Sequence, residues 1–122
     1  MKPKSVKAKG RRLQNMVRDQ IRKLLSPWGV EHDDVNGAIM GEPGVDIKLS
    51  PKAKKLLPIA VECKNTQASS VIYKYWNQAE ANKCTCEPVL VIKANHKRPL
   101  AVIDLDYYLS LEHKRIMDDQ RG

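Results

Sequence analysis

Two short stretches alternate apolar and polar residues with the two-residue period of a strand, and they constrain the fold most. In the first, Val45, Ile47 and Leu49 fall on one side, and Asp46 and Lys48 on the other. In the second, Ile59, Val61 and Cys63 share one face, while Ala60, Glu62 and Lys64 share the opposite one. Side chains leave a strand on alternate sides, so a core that covers the apolar faces leaves Asp46, Glu62 and Lys64 outside it. Sixteen residues separate Asp46 from Glu62, enough for a strand, a turn and a return strand. Pairing of the two strands would project both carboxylates from one face, with Lys64 beside them.

The rest of the chain supplies helices and further strands. From Arg11, the residues Leu13, Met16, Val17, Ile21 and Leu24 recur at three- and four-residue steps and predict a helix with one apolar stripe. Gln14 sits at the edge of that stripe. The helix is expected to stop near Ser26-Pro27, because proline disfavours helical geometry in the residue before it. A weak strand signal runs from Val35 to Met40, and Ser50-Pro51 opens a basic turn with Lys52, Lys54 and Lys55. Val71 to Lys83 reads as a second helix, with Ile72, Tyr75, Trp76 and Ala79 on its buried face and Gln78 flanking it. The run Pro88 to Ala94 predicts a strand buried on both faces, Leu100 to Ile103 another strand, and Asp104 to about Glu112 a last short helix. This order fits an α/β (α+β) fold, a central mixed sheet flanked by helices. Residues 1–10 are expected to be a flexible basic arm, 11–113 a single domain and 114–122 a polar tail.

Charge indicates the class of partner. The chain carries 22 Lys and Arg against 14 Asp and Glu, a net charge of +8, which favours a polyanion. Lys4, Lys7, Lys9, Arg11 and Arg12 crowd the N-terminus, where they either lie along a phosphate backbone or serve as a solubilising tail. With Lys48, Lys52, Lys54 and Lys55 they form the expected DNA-contacting set. No apolar run is long enough to span a bilayer, and the polar, basic N-terminus lacks the apolar stretch of a secretory signal. The expectation is an intracellular protein without a membrane partner. Three cysteines do not form a disulfide framework, and Cys84-Thr85-Cys86 lacks a second ligand pair at zinc-site spacing. Glu31, Asp33 and Asp34 read as solvated residues or local caps, the alternative being that one of them joins a metal site.

Asp46, Glu62 and Lys64 carry the candidate chemistry. Two carboxylates are hard oxygen donors that suit Mg²⁺, a cation that keeps several waters. A bound divalent cation acidifies water and offsets charge on a phosphoryl oxygen. A lysine on the same face can hold the attacking water or offset the same charge. The plain alternative is that Glu62 and Lys64 are neighbours on an exposed strand.

GVDI at 44–47 and AVECK at 60–64 resemble the paired motifs of the PD-(D/E)XK nucleases, in particular the Holliday-junction-resolvase-like families and small phage nucleases. The likeness covers roughly residues 9–105, from AKGRRLQNMVRDQI through WNQA to PVLVIKA and AVIDL. It implies an αβββαβ core, Mg²⁺-dependent endonuclease hydrolysis of DNA phosphodiesters, with Mn²⁺ as a substitute, and a homodimer. It makes Asp46 and Glu62 metal ligands together with the backbone carbonyl of Cys63, and Lys64 the catalytic lysine. Branched DNA is the expected substrate, with sequence-specific cutting of the restriction or homing type as the rival. A non-catalytic nucleic-acid-binding module is the third reading. The chain departs from the resolvase-like pattern where Lys9-Gly10 leads to Gln14 rather than a glutamate. Gln14 either holds a water at the metal or leaves the site to two carboxylates. Pro43 precedes Asp46 by three residues, so the Pro-Asp pair is split. Gln78 stands where related nucleases often carry a polar helix residue near the site.

Overall fold

The first helix, α1 (Pro3–Leu25), begins well before Arg11 in the computed structural model, which describes residues 3–39 and 41–122, with side chains from residue 6 onward. Residues 3–10 are therefore helical where an arm was expected. Lys and Ala favour helix, and Gly10 costs only about 1 kcal/mol relative to Ala, too little to end it. The helix stops at Leu25, and Pro27 lies in the single 3₁₀ turn that follows. Its buried stripe is Val17, Ile21 and Leu25, with Leu13 half-buried. Two residues of the expected stripe fall off it. Met16 is 47% exposed and Leu24 is only half-buried, because a strict four-residue step from Val17 reaches Leu25.

Beneath α1 lies a two-stranded antiparallel sheet of β1 (Val35–Gly37) and β2 (Ile47–Leu49), in the register Val35 to Leu49, Asn36 to Lys48 and Gly37 to Ile47. Ile21, Leu25, Val35 and Ile47 are essentially inaccessible, and Ala53 and Leu57 close the same core. Arg22 ties the helix to the sheet: its Nε donates to the Val35 carbonyl at 2.8 Å and Nη2 to Asn36 Oδ1 at 3.3 Å. The expected basic turn after Ser50 is a short helix, α2 (Pro51–Leu56). Ser50 Oγ caps it by accepting the Ala53 N–H at 3.1 Å, and Pro51 occupies the first turn, where no N–H is required.

No strand ladder forms over 59–64, yet the alternation survives. Ile59, Val61 and Cys63 are half-buried while Ala60, Glu62 and Lys64 are exposed. The polypeptide groups into two compact units, Met1–Thr66 and Gln67–Gly122. In the second unit, α3 (Ser70–Ala81) is followed by an antiparallel hairpin of β3 (Leu90–Ile92) and β4 (Leu100–Val102), then α4 (Leu105–Arg121). The hairpin is half-covered, not buried on both faces: Leu90 and Ile92 are half-buried but Val91 is 64% exposed. Likewise Ile72 and Tyr75, expected to be buried, are exposed on α3. Asp104 caps α4 through Oδ1, which accepts the Tyr107 N–H at 3.0 Å. The helix runs past Glu112 to Arg121 because Arg115 bridges Glu112 and Asp119 on its surface and no glycine or proline intervenes. Both neighbours raise the Arg115 pKa, the hydrogen bonds that Arg115 donates to the Glu112 carboxylate foremost.

The architecture is mixed helix and strand, broadly α+β, with two two-stranded antiparallel sheets among the described residues. Among the described residues no helix is long and apolar enough to cross a membrane. The corrected stripe on α1 has a direct consequence. Leu25→Ala should lower unfolding stability by about 2–5 kcal/mol in urea titrations. Met16→Ala should stay within about 0.5 kcal/mol of the unmodified protein. Equal losses at both positions would place the buried stripe elsewhere.

Candidate active site

One cleft of ≈ 480 Å³ in the first unit gathers Gln14, Asp46, Glu62, Cys63 and Lys64, five of the six residues expected to act in catalysis or metal binding. One wall is α1, where Lys7, Arg11, Gln14 and Arg18 follow at helical steps and so share a face. The other walls are the chain leaving β1, Asp46 just before β2, and Glu62, Cys63 and Lys64.

Asp46 is fastened at three points. Its carbonyl accepts the Ala38 N–H at 2.8 Å, and its own N–H donates to the Val61 carbonyl at 2.9 Å. Its Oδ2 accepts the Cys63 N–H at 2.6 Å, a charge-assisted bond. These contacts hold the segment 61–63 against the entry to β2 without a ladder. Glu62 lies between the two bonded residues, so its backbone is clamped while its side chain turns to the exposed face. Lys64 Nζ stands 3.4 Å from Glu62 Oε1, with both side chains more than half exposed. Such a pair contributes about 0–1 kcal/mol.

Gln14 has a defined role in the structure. Its Nε2 donates to the Ala38 carbonyl at 3.0 Å, and a carbonyl partner admits only the amide nitrogen, which fixes the side-chain orientation. Gly37 permits this approach, since a Cβ there would stand 2.7 Å from Gln14 Nε2. Gln14 therefore acts on Asp46 through Ala38, whose N–H holds the Asp46 carbonyl.

Glu42 also lines the cleft, a carboxylate the sequence reading passed over. It accepts the Ile39 N–H at 2.9 Å and pairs with Lys48. Lys48 first and the Ile39 N–H second lower its pKa. The only signal for Glu42 in the sequence was its place in the Gly-rich turn before Asp46. Lys48 is thereby engaged within the protein. Among the other expected DNA contacts, Lys7 and Arg11 line the cleft and Arg12 is exposed on α1. The Lys9 carbonyl accepts from Asn65 Nδ2 at 3.5 Å. Lys52 Nζ donates to the Gly29 carbonyl at 2.5 Å, and Lys54 and Lys55 sit in the last turn of α2. The Lys4 side chain lies outside the described residues. Gln78 is an exposed residue of α3 in the second unit, whereas the cleft is built from the first.

The acidic knot serves as local capping: Asp34 Oδ2 accepts the Glu31 N–H at 2.7 Å. That bond, then Ser50, lowers the Asp34 pKa. For a cation, Asp46 and Glu62 offer hard oxygens in an open cleft. Asp46 keeps Oδ1 beyond the oxygen bonded to Cys63, so the donor set fits Mg²⁺ and its retained waters. Among the described residues no group of three or more His, Cys, Asp or Glu side chains gathers at one point, and a site of two carboxylates needs none. Comparison with known families, curated proteins and solved structures finds no match.

Two expectations follow. A carboxylate at position 14 would face the Ala38 carbonyl where an N–H now donates. Gln14→Glu should therefore cost about 1–3 kcal/mol at neutral pH. Its acid would be protonated more readily in the folded state, so the loss should shrink as pH falls through that raised pKa. Thermal unfolding at pH 4 to 8 measures this; a pH-independent loss would dissociate Gln14 from Ala38. Separately, burial pushes the Cys63 thiol up, with the Asp46 and Glu62 charges adding to it. Less thiolate forms at a given pH, so Cys63 should react with iodoacetamide more slowly than the exposed Cys84 and Cys86. Peptide mapping of the alkylated protein reads the order directly.

Proposed function

We propose that the chain is a Mg²⁺-dependent DNA endonuclease of the PD-(D/E)XK type, acting as a homodimer on branched DNA such as a four-way junction. The observation that carries this reading is the single cleft holding Asp46, Glu62 and Lys64 under a cationic helix wall. The αβββαβ core belongs to the same reading. Its support is the chain order of α1, β1, β2, the alternating segment 59–63, α3 and β3, together with the bonds from Asp46 to Val61 and Cys63.

Asp46 and Glu62, with the Cys63 carbonyl, would hold the cation. When bound, Mg²⁺ supplies positive charge that acidifies water and neutralises the phosphoryl oxygens, and Mn²⁺ can replace it. The protein's own contribution is positional. Three backbone-linked bonds fix Asp46 before substrate arrives, which removes reorganisation from the reaction. The loose pairing of Lys64 with Glu62 leaves the ammonium able to turn to a phosphate oxygen or the attacking water. Lys7 and Arg11 stand on the cleft wall to receive flanking phosphates. Gln14 favours a second reading, a nucleic-acid-binding module that keeps the fold without the chemistry, since an amide binds cations weakly.

One assay separates the two. Supercoiled plasmid, linear duplex and a four-way junction are each incubated with Mg²⁺, Mn²⁺ or chelator. The expected result is metal-dependent cleavage fastest on the junction, falling by about a hundredfold or more in Asp46→Ala and Lys64→Ala. Binding without cleavage under any metal favours the module, and undiminished cleavage by Asp46→Ala moves the site elsewhere.

A further inference from the structure

The second unit carries an apolar groove that the catalytic reading does not use. Ile72 and Tyr75 of α3 form one side, and Ile92 and Leu100 of the hairpin form the other, enclosing ≈ 530 Å³. Tyr75 is 49% exposed and Leu100 54%, so the floor is open to an incoming ring. Lys93, Lys97 and Arg98 stand at the rim, and no carboxylate lines the groove. The β3–β4 turn sets that rim: the Lys97 N–H donates to the Ala94 carbonyl at 3.2 Å, and His96 adopts a left-handed φ of 62°. Neither Lys97 nor Arg98 is in an ion pair among the described residues.

We propose that this groove binds unpaired nucleotides of single-stranded nucleic acid, with a base stacked at Tyr75 and phosphates held by Lys97 and Arg98. An apolar floor alone would suit many partners, so the charge decides among them. Three cations in a lining that names no carboxylate, none of them in an ion pair among the described residues, favour a polyanion. A second copy docked groove to groove would set the same three cations against these. Single-stranded nucleic acid joins a continuous anionic backbone to flat apolar rings, and aromatic stacking with a cationic track is how such strands are held. In a duplex the bases are already stacked and paired, so Tyr75 would have nothing to receive.

The test uses the full chain with a fluorescein-labelled oligothymidylate of about twelve nucleotides, followed by anisotropy in chelator. Chelator removes cleavage from the readout, so the result stands whether or not the first unit is a nuclease. Tyr75→Ala should weaken binding about five- to a hundredfold. Tyr75→Phe keeps the ring and should bind like the unmodified chain, which also controls for folding. Replacing Lys97 and Arg98 together by Ala should flatten the salt slope by roughly 1.4, about 0.7 for each phosphate contact. Duplex of equal length should bind with little dependence on Tyr75. An unchanged oligothymidylate affinity in Tyr75→Ala, or an equal loss on duplex, overturns the proposal. So does a dimer dispersed by Ile72→Glu at unaltered oligothymidylate affinity, which would make the groove an interface between copies.

Discussion

The hydrogen bond from the Cys63 N–H to Asp46 Oδ2 is the contact on which the candidate site depends. It does what a ladder would otherwise do, holding the segment 61–63 against the entry to β2. It also orients the carboxylate, using one oxygen for the scaffold and leaving the other for chemistry. Its partner, the Asp46 N–H on the Val61 carbonyl, brackets Glu62 from the preceding residue. Two bonds thus set the backbone positions of both acids. Because the acceptor is ionised, this bond is stronger than a neutral one, and removing the carboxylate would release Cys63 as well as the proposed cation ligand.

Helix α1 connects that fastening to the core. Its Val17, Ile21 and Leu25 side is buried, and its Lys7, Arg11, Gln14 and Arg18 side walls the cleft. Apolar burial therefore sets the position of the cationic wall: rotating the helix to improve one face would misplace the other. Arg22 resists such rotation with its bonds to the Val35 carbonyl and Asn36. The cations are not equivalent. Arg18 bonds Asp19 and Asn15, and Arg22 is committed to the sheet and to His32. Lys7 and Arg11 are in no ion pair among the described residues, so on this wall they have charge to offer a ligand.

What the sequence revealed follows from the range of the forces involved. The alternation over 59–64 was legible because burial of one face imposes period two whether or not a ladder forms. The absence of the ladder was not legible, since it depends on the placement of another strand. On α1 the period was clear but the phase was not: Leu24 and Leu25 are adjacent, and only packing of the helix against β1 selects Leu25. Helix α2 had a local signal, Ser at the cap and Pro in the first turn, which the density of lysines disguised as a turn. The run from Pro88 to Ala94 misled for the opposite reason. Continuous apolar residues predict cover on both faces, yet Val89 and Val91 remain exposed, because side-chain composition does not specify what covers a hairpin. Glu42 escaped notice because its importance lies in its pairing with Lys48 and the Ile39 N–H, which turn geometry alone creates.

Gln14, where the chain departs from the nuclease pattern it resembles, has a geometric reason of its own. A glutamate at position 14 would offer only acceptors to the Ala38 carbonyl, whereas glutamine offers a donor at 3.0 Å. The amide thus stabilises a backbone junction that a carboxylate would weaken, and the same junction holds the Asp46 carbonyl. A third acid at position 14 would also change the electrostatics. With Glu42 paired to Lys48, the cleft presents Asp46 and Glu62 to a cation against Lys7, Arg11 and Lys64 for an anion. A third carboxylate would favour the cation but repel a phosphate approaching along α1. On the proposed reading, two acids and an amide exchange cation affinity for access by a polyanion, at the same Ala38 junction that holds the Asp46 carbonyl.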